Sequence, residues 1–208
     1  ILFDDPLLGR FRGLLLTPDR APPRGGWPGI VGLHGHGANP ELFRDELHGA
    51  AFAAQGYAVL LPELRAMCVD EPEDRATRTL LQAGFSLLGV RVAEAQTARR
   101  ALAAMSDVRP TRIGLVAHST GALAATVAAR VDPNWAAVVV DLADNFFIYT
   151  DMPGATRFSN DMAPALFPYH EQINDLRTLT MPAIQVTYGF TPDRAAIDAF
   201  LDEHLRAR

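Results

Sequence analysis

The sequence predicts an α/β fold, a mostly parallel sheet with helices packed on both of its faces. Three observations lead there. Short apolar runs alternate along the chain with stretches of helical spacing, which is the order of a parallel sheet built from strand–helix units. The apolar runs are continuous rather than alternating, as strands are when both faces of the sheet are covered. The 208 residues, 49% hydrophobic and 21% charged, have the composition of a globular chain long enough to bury a core.

Taken in order, Arg12 to Thr17 reads as a short strand that stops at Pro18, and residues 19–28, rich in Pro and Gly, as a surface loop. Gly29 to Leu33 is an apolar run that stops at Gly35 and reads as a buried strand. Glu41 to Gln55 has helical spacing, with Leu42, Leu47, Ala50, Ala51 and Ala54 on one side and Gly56 as its stop. Tyr57 to Leu61 is the next strand, ended by Pro62, and residues 63–78 read as a polar, exposed excursion. A long helix is expected over Leu80 to Met105, a strand over Ile113 to Ala117, a small-residue helix over Thr120 to Val131 and a strand over Ala136 to Asp141. Residues 143–175 are irregular and aromatic; Ala183 to Tyr188 is the last strand and Arg194 to Arg206 the last helix. With no internal repeat and no linker, residues 1–208 read as one domain, in which 142–175 form a lid or pocket-lining excursion.

Composition excludes several chemistries. All 19 basic residues are Arg, so a Schiff-base lysine, a pyridoxal-phosphate anchor and an ordinary P-loop are ruled out. The single cysteine, Cys68, allows neither an intrachain disulfide nor a cysteine-rich zinc site. The net charge of −5 gives no basic face for nucleic acid. The longest nearly uncharged stretch, Leu80 to Val90, is too short to span a bilayer, and no signal peptide is visible, so a cytoplasmic protein without a membrane partner is expected. The start at Ile1 leaves room for a trimmed segment upstream.

The most specific feature is Arg112-Ile-Gly-Leu-Val-Ala-His-Ser-Thr-Gly-Ala, a strand running straight into Ser119 with a helix beginning just after it. Small residues stand two before the serine (Ala117) and two after it (Gly121), where a sharp strand-to-helix turn would crowd anything larger. Such a turn lifts a hydroxyl above the sheet and aims the next backbone N–H, that of Thr120, at an oxyanion. An ordinary junction with a capping serine is the competing reading. The second feature, Gly32-Leu-His-Gly-His-Gly-Ala, follows an earlier strand, and its glycine turn is suited to bring a second N–H, that of His36, beside the serine. A plain turn competes with that reading, and a metal site at His34 and His36 is disfavoured because only His48 is near as a third ligand.

At these residues the chain resembles the α/β-hydrolase superfamily, and within it the dienelactone-hydrolase and acetyl-xylan-esterase-like branch. Leu33-His-Gly-His-Gly, Gly56-Tyr-Ala-Val-Leu-Leu-Pro-Glu-Leu-Arg, Ser86-Leu-Leu-Gly-Val-Arg and the serine turn carry the likeness, well over 28–141 and loosely over 160–206. The resemblance implies Ser119 as nucleophile, the N–H groups of Thr120 and His36 as oxyanion hole, and hydrolysis of a small ester, acyl or lactone substrate through an acyl-enzyme, with no cofactor and no metal.

The family also wants an acid after a late strand. Asp193, after Gly189-Phe-Thr-Pro, is the candidate, with helix-start acid as its competing reading and Asp141 and Asp144 as alternatives. The base is harder to find, because the family's last strand and the loop that bears its histidine are missing after Asp193. His204 falls on the last helix, His118 should point away from its neighbour Ser119, and His48 lies in the first helix. His170, in Phe167-Pro-Tyr-His-Glu-Gln, remains as a replacement base; a surface histidine paired with Glu171 competes. Phe146, Phe147, Tyr149, Phe158, Phe167 and Tyr169 are candidates to line an acyl pocket or to pack a lid. Two other expectations stay open: a non-catalytic relative that keeps the fold and binds a ligand, and a chain cut before its histidine. The open edge of the last strand offers a route to a homodimer.

Overall fold

The computed structural model describes residues 1–67, 73–141 and 170–206. Among them seven strands form one sheet in the order β1-β2-β4-β3-β5-β6-β7: Leu2–Asp5, Gly9–Leu16, Trp27–Leu33, Ala58–Pro62, Val108–Ala117, Ala137–Val140 and Ala183–Gln185. β1 and β2 are antiparallel to their neighbours and every pairing from β4 to β7 is parallel, so the sheet is mostly parallel as the apolar runs predict. Every residue of β3, β4 and β6 is buried. Among the described residues β7 pairs only with β6 and contributes three residues, a short edge for any second copy to pair with.

The period of two sorts the core into two layers. Ile30, Val59, Leu61, Val116, Ala137 and Val139 face one side, against α1 (Pro40–Glu46), α2 (Gly49–Gln55) and the last helix. Val31, Leu60, Leu115, Ala117, Val138 and Val140 face the other, against α4 (Leu87–Ala103) and α5 (Thr120–Val131). The alanines of α5 leave little side chain between helix and sheet, so its first turn sits close to the strand ends.

Several boundaries differ from the sequence reading, each for a local reason. The helix expected over 41–55 is two helices, because His48 takes a left-handed φ of 66° between α1 and α2; it caps α2 rather than lying inside a helix. The long helix expected from Leu80 is also two, α3 (Glu73–Gln82) and α4, separated by a turn at Gly84 (φ 83°) and restarted by Ser86, whose Oγ accepts the N–H of Gly89. Part of the expected excursion 63–78 is therefore helix. The short strand β1 escapes a periodicity reading, but Phe3 stacks on Phe11 of β2 with ring centroids 4.4 Å apart and both rings are buried. The last strand is shorter than expected, Ala183–Gln185 instead of Ala183 to Tyr188, because the chain leaves the ladder into a turn. A one-turn helix, α6 (His170–Asn174), precedes β7.

The last helix, α7 (Arg194–Leu201) with a π-helical turn to Arg206, is bound by side chains to α2 and to Tyr57, the residue before β4. Tyr57 Oη donates to Asp202 at 2.7 Å, Gln55 to Asp198 at 3.0 Å, and Arg206 and Arg194 lie over the rings of Tyr57 and Phe52, each at 4.5 Å. No described helix is long and apolar enough to cross a membrane.

Gly32 in β3 shows how tightly α1 is seated: a Cβ there would stand 2.4 Å from Leu61 Cδ2 and 2.7 Å from the Phe43 ring. Gly32→Ala is expected to cost about 1–3 kcal/mol through overpacking, read as a lower urea midpoint. An unchanged midpoint would mean that Phe43 and Leu61 step aside freely.

Candidate active site

Ser119 stands where β5 ends and α5 begins, with φ 53° and ψ −123°, a backbone state that a non-glycine residue rarely holds. Close contacts explain the small residues around it. A Cβ on Gly121 would fall 2.6 Å from the carbonyl oxygens of Leu33 and His34, and one on Gly35 2.7 Å from Ser119 Cβ. The β3 turn and the serine turn therefore touch only because both carry glycine.

Asp141, at the end of β6 and buried, holds the serine turn in place. Its Oδ1 accepts the Ser119 N–H at 2.8 Å; its Oδ2 accepts His118 Nδ1 at 2.5 Å and the Gly189 N–H at 2.8 Å. His118 is thus turned toward β6 and β7, with its ring 4.6 Å from that of Tyr188 and 6.1 Å from that of Phe190. Within the first turn of α5, Gly121 N–H donates to His118 O and Ala122 N–H to Ser119 O. The Thr120 N–H has no acceptor among the described residues and is one of the open donors at a helix start.

On the other side, Thr120 Oγ1 meets His36 Nδ1 at 2.5 Å, and His36 Nε2 meets Glu73 Oε1 at 2.9 Å. Arg91, fully buried, donates to the same Glu73 oxygen at 3.0 Å. Burial pushes the Glu73 carboxyl up, but the His36 hydrogen bond and the charges of His36 and Arg91 outweigh it, and the group lies below the ordinary carboxylate range. Thr120 and His36, the two residues expected to supply oxyanion donors, are in this way fastened to each other by their side chains.

His34 serves a different purpose. Fully buried, it spans two turns, with Nδ1 3.1 Å from Gly35 O and Nε2 accepting the Leu64 N–H at 3.1 Å. Those bonds need a neutral ring, and burial lowers its pKa to about 4. Glu94 on α4 accepts the Arg65 N–H at 2.9 Å and Arg65 Nε at 3.2 Å, tying the loop after β4 to α4. Burial raises its carboxyl to about 7 against the attraction of Arg65 and Arg91.

Asp193 closes the turn after β7, its Oδ2 taking the Thr187 N–H at 2.5 Å, and this bond holds its carboxyl below the usual range. The same turn reaches Asp141 through Gly189. His204 lies on the last helix with its ring 4.5 Å from that of Phe200. Among the described residues no histidine nitrogen hydrogen-bonds Ser119 Oγ, and no group of three His, Cys, Asp or Glu is placed to hold a metal ion. The side chain of His170, Asp144, Cys68 and the six aromatic residues of 146–169 lie outside the described residues. Nothing in the sequence singles out Glu73, which sits in a stretch that reads as exposed, and Asp141 stands there only as an alternative to Asp193. A signal for Asp141 was present: an acid directly after an all-apolar strand, Ala-Val-Val-Val, next to the strand that bears the serine.

His34 and Glu94 make opposite contributions to the pH dependence of stability. A histidine depressed from 6.5 to about 4 stabilises the fold above pH 6.5 and loses that contribution as pH falls toward 4. A carboxyl raised from 4.5 to about 7 stabilises below pH 4.5 and loses its contribution as pH rises through 7. Each has a limiting slope of about 1.4 kcal/mol per pH unit, so between them the two offset. Glu94→Gln is expected to uncover the His34 slope: unfolding free energy, measured in urea across this range, rises with pH in the variant more steeply than in the parent chain. Parallel profiles would contradict the assignment.

Comparison with known proteins bears on the family and the fold. The model of the alpha/beta hydrolase family matches residues 30–208. No curated protein matches the sequence. Among solved structures, an acetyl xylan esterase from Paenibacillus sp. R4 superposes with a TM-score of 0.68 at 16% identity, over 98% of this chain and 83% of that one. The carboxylesterase EstE1, cloned from a metagenomic library, gives 0.65 at 14% identity over 99% and 87%, and a dienelactone hydrolase from Anabaena variabilis ATCC 29413 gives 0.59 at 20% identity over 95% and 93%. Against a structure from Bacteroides fragilis NCTC 9343 described as an acetyl xylan esterase, with a TM-score of 0.56 at 20% identity, the match takes in 62% of this chain and 40% of that protein's length. At these identities the structures speak for the fold; the family match, which takes in most of the chain together with the serine turn, shows that the chain belongs to the alpha/beta hydrolase family.

Proposed function

We propose that the chain is a serine hydrolase that cleaves a small ester, acyl or lactone substrate through an acyl-enzyme. The observation that carries this reading is the strained backbone of Ser119 at the head of α5, next to the open N–H of Thr120. In the proposed reaction Ser119 Oγ attacks the carbonyl carbon, and the N–H groups of Thr120 and His36 receive the negative charge that develops on its oxygen. The leaving alcohol departs with a proton, and water then releases the acyl group. His170 is the proposed base and Asp193 the proposed acid behind it; no cofactor takes part. The esterase and dienelactone-hydrolase names of the structural neighbours support the substrate class.

A second reading, a binding module without turnover, rests on a specific observation. Of the five histidines with described side chains, His34, His36 and His118 are hydrogen-bonded to other partners, His48 is the N-cap residue of α2 with a ring that makes no capping bond, His204 packs on Phe200, and none is hydrogen-bonded to Ser119 Oγ. The proposed hydrolase therefore takes His170 as its base.

The two readings separate on labelling by a fluorophosphonate probe and turnover of p-nitrophenyl acetate. Hydrolase chemistry predicts a labelled Ser119, with Ser119→Ala unlabelled and slower in kcat by about a thousandfold or more. His170→Ala should fall nearly as far, because members of one catalytic unit are not additive. A folded parent chain that neither labels nor turns over favours the binding module; an active His170→Ala removes His170 as base.

A further inference from the structure

A second site lies at the far end of the sheet from Ser119. Arg20, Arg109 and Arg206 line a cavity of about 440 Å³, whose remaining wall is Ala21, Pro23, Pro28 and Gly56. Pro28 is the second residue of β3, Gly56 precedes β4 and Arg109 is the second residue of β5, so the cavity sits at the N-terminal ends of the parallel strands. Ser119 follows the other end of β5; β5 bulges against β3 between Val108 and Ile113, and by the β3 register the two sites lie roughly 20–25 Å apart. The volume is in the range of small-molecule sites, and no carboxylate lines it.

The cations are held close together. Arg20 Nη2 and Arg206 Nη2 both donate to one carbonyl oxygen, that of Gln55 at the end of α2, at 2.8 Å and 2.5 Å. Room for this comes from Gly56, where a Cβ would lie 1.8 Å from Arg20 Nη2. Arg206 has a carboxylate partner, Asp202, 3.1 Å from its Nε. Among the described residues Arg109 reaches only the Arg24 carbonyl, at 3.4 Å, and neither Arg20 nor Arg109 has a carboxylate within ion-pair distance. Two like charges on one acceptor with a third beside them repel, and most of their N–H donors lack acceptors among the described residues. A helix-end carbonyl has two lone pairs, so capping α2 accounts for one donor each from Arg20 and Arg206 and leaves Arg109 and the remaining N–H groups over.

We propose that this cavity binds a phosphate-bearing small molecule, its phosphate oxygens taken by the guanidinium groups and its apolar part laid against Ala21, Pro23 and Pro28. Phosphate fits better than carboxylate because it offers three oxygens and close to two charges to three planar forks, where a carboxylate fills one.

Calorimetric titration with pyrophosphate at low ionic strength tests the site. Saturable binding is expected in the parent chain, weakened about tenfold or more by Arg20→Met and by Arg109→Met. Ser119→Ala and Arg177→Met, the latter an arginine paired with Asp175 on another surface, should bind as the parent does. Arg109 makes one long hydrogen bond, so its variant decides the matter if Arg20→Met lowers the urea midpoint. Absence of saturable heat, equal affinity in Arg109→Met, or equal weakening by Arg177→Met would each overturn the proposal. Acetate binding as tightly as pyrophosphate would overturn the phosphate assignment.

Discussion

The carboxylate of Asp141 is the joint on which the upper end of the sheet depends. It is buried, and it takes hydrogen bonds from three groups that belong to different parts of the chain: the Ser119 N–H after β5, the His118 ring beside it, and the Gly189 N–H after β7. A buried carboxylate left alone would be costly; one that accepts three donors is not. An amide of the same shape would turn a donor toward at least one of those donors. The strained φ of Ser119, a state that costs on the order of 1–3 kcal/mol, persists because Asp141 Oδ1 fixes the serine N–H while Gly121 and Gly35 remove the side chains that would push the turn open.

The opposite side of the serine is built by alternation within one short motif. In His34-Gly-His-Gly, His34 turns inward as a neutral bridge to Leu64, and His36 turns toward Thr120 and Glu73. The glycine between them is the residue that lets the turn approach Ser119. One histidine thereby fixes the turn to the core, and the other fixes it to the first residue of α5. The Glu73 to Arg91 contact carries the same support back to α4, so the loop expected to hold an oxyanion is braced from three helices rather than left free.

What the sequence discloses follows from how local each feature is. β3, β4 and β6 are legible because burial on both faces writes itself as unbroken apolar runs, and the serine turn is legible because steric demand fixes small residues at set distances from Ser119. The helix breaks at His48 and Gly84 are harder, since a single left-handed residue interrupts a pattern that otherwise continues. Glu73 is not legible: its partners His36 and Arg91 are 37 and 18 residues away, and only the fold brings them together. Asp141 and Asp193 look alike as acids after strands. Their difference, one buried beneath the serine turn and the other closing a partly exposed turn by accepting the Thr187 N–H, comes from strand neighbours.

A strand-to-helix junction needs no residue at φ 53°, and a relaxed backbone with an ordinary capping serine would spare the strain. Ser119 gains nothing visible in return: its Oγ caps no N–H of α5 and has no hydrogen-bond partner among the described residues. The strain does place that oxygen at the head of the helix, beside the Thr120 N–H, which has no acceptor among the described residues. A binding pocket gains little from a hydroxyl fixed in this way, because a rotatable serine side chain meets a ligand equally well from a relaxed backbone. An attacking oxygen gains much, since reaction demands that it and the donors for the charge it creates be set before the substrate arrives. On that balance the geometry of Ser119 weighs toward hydrolysis over binding alone.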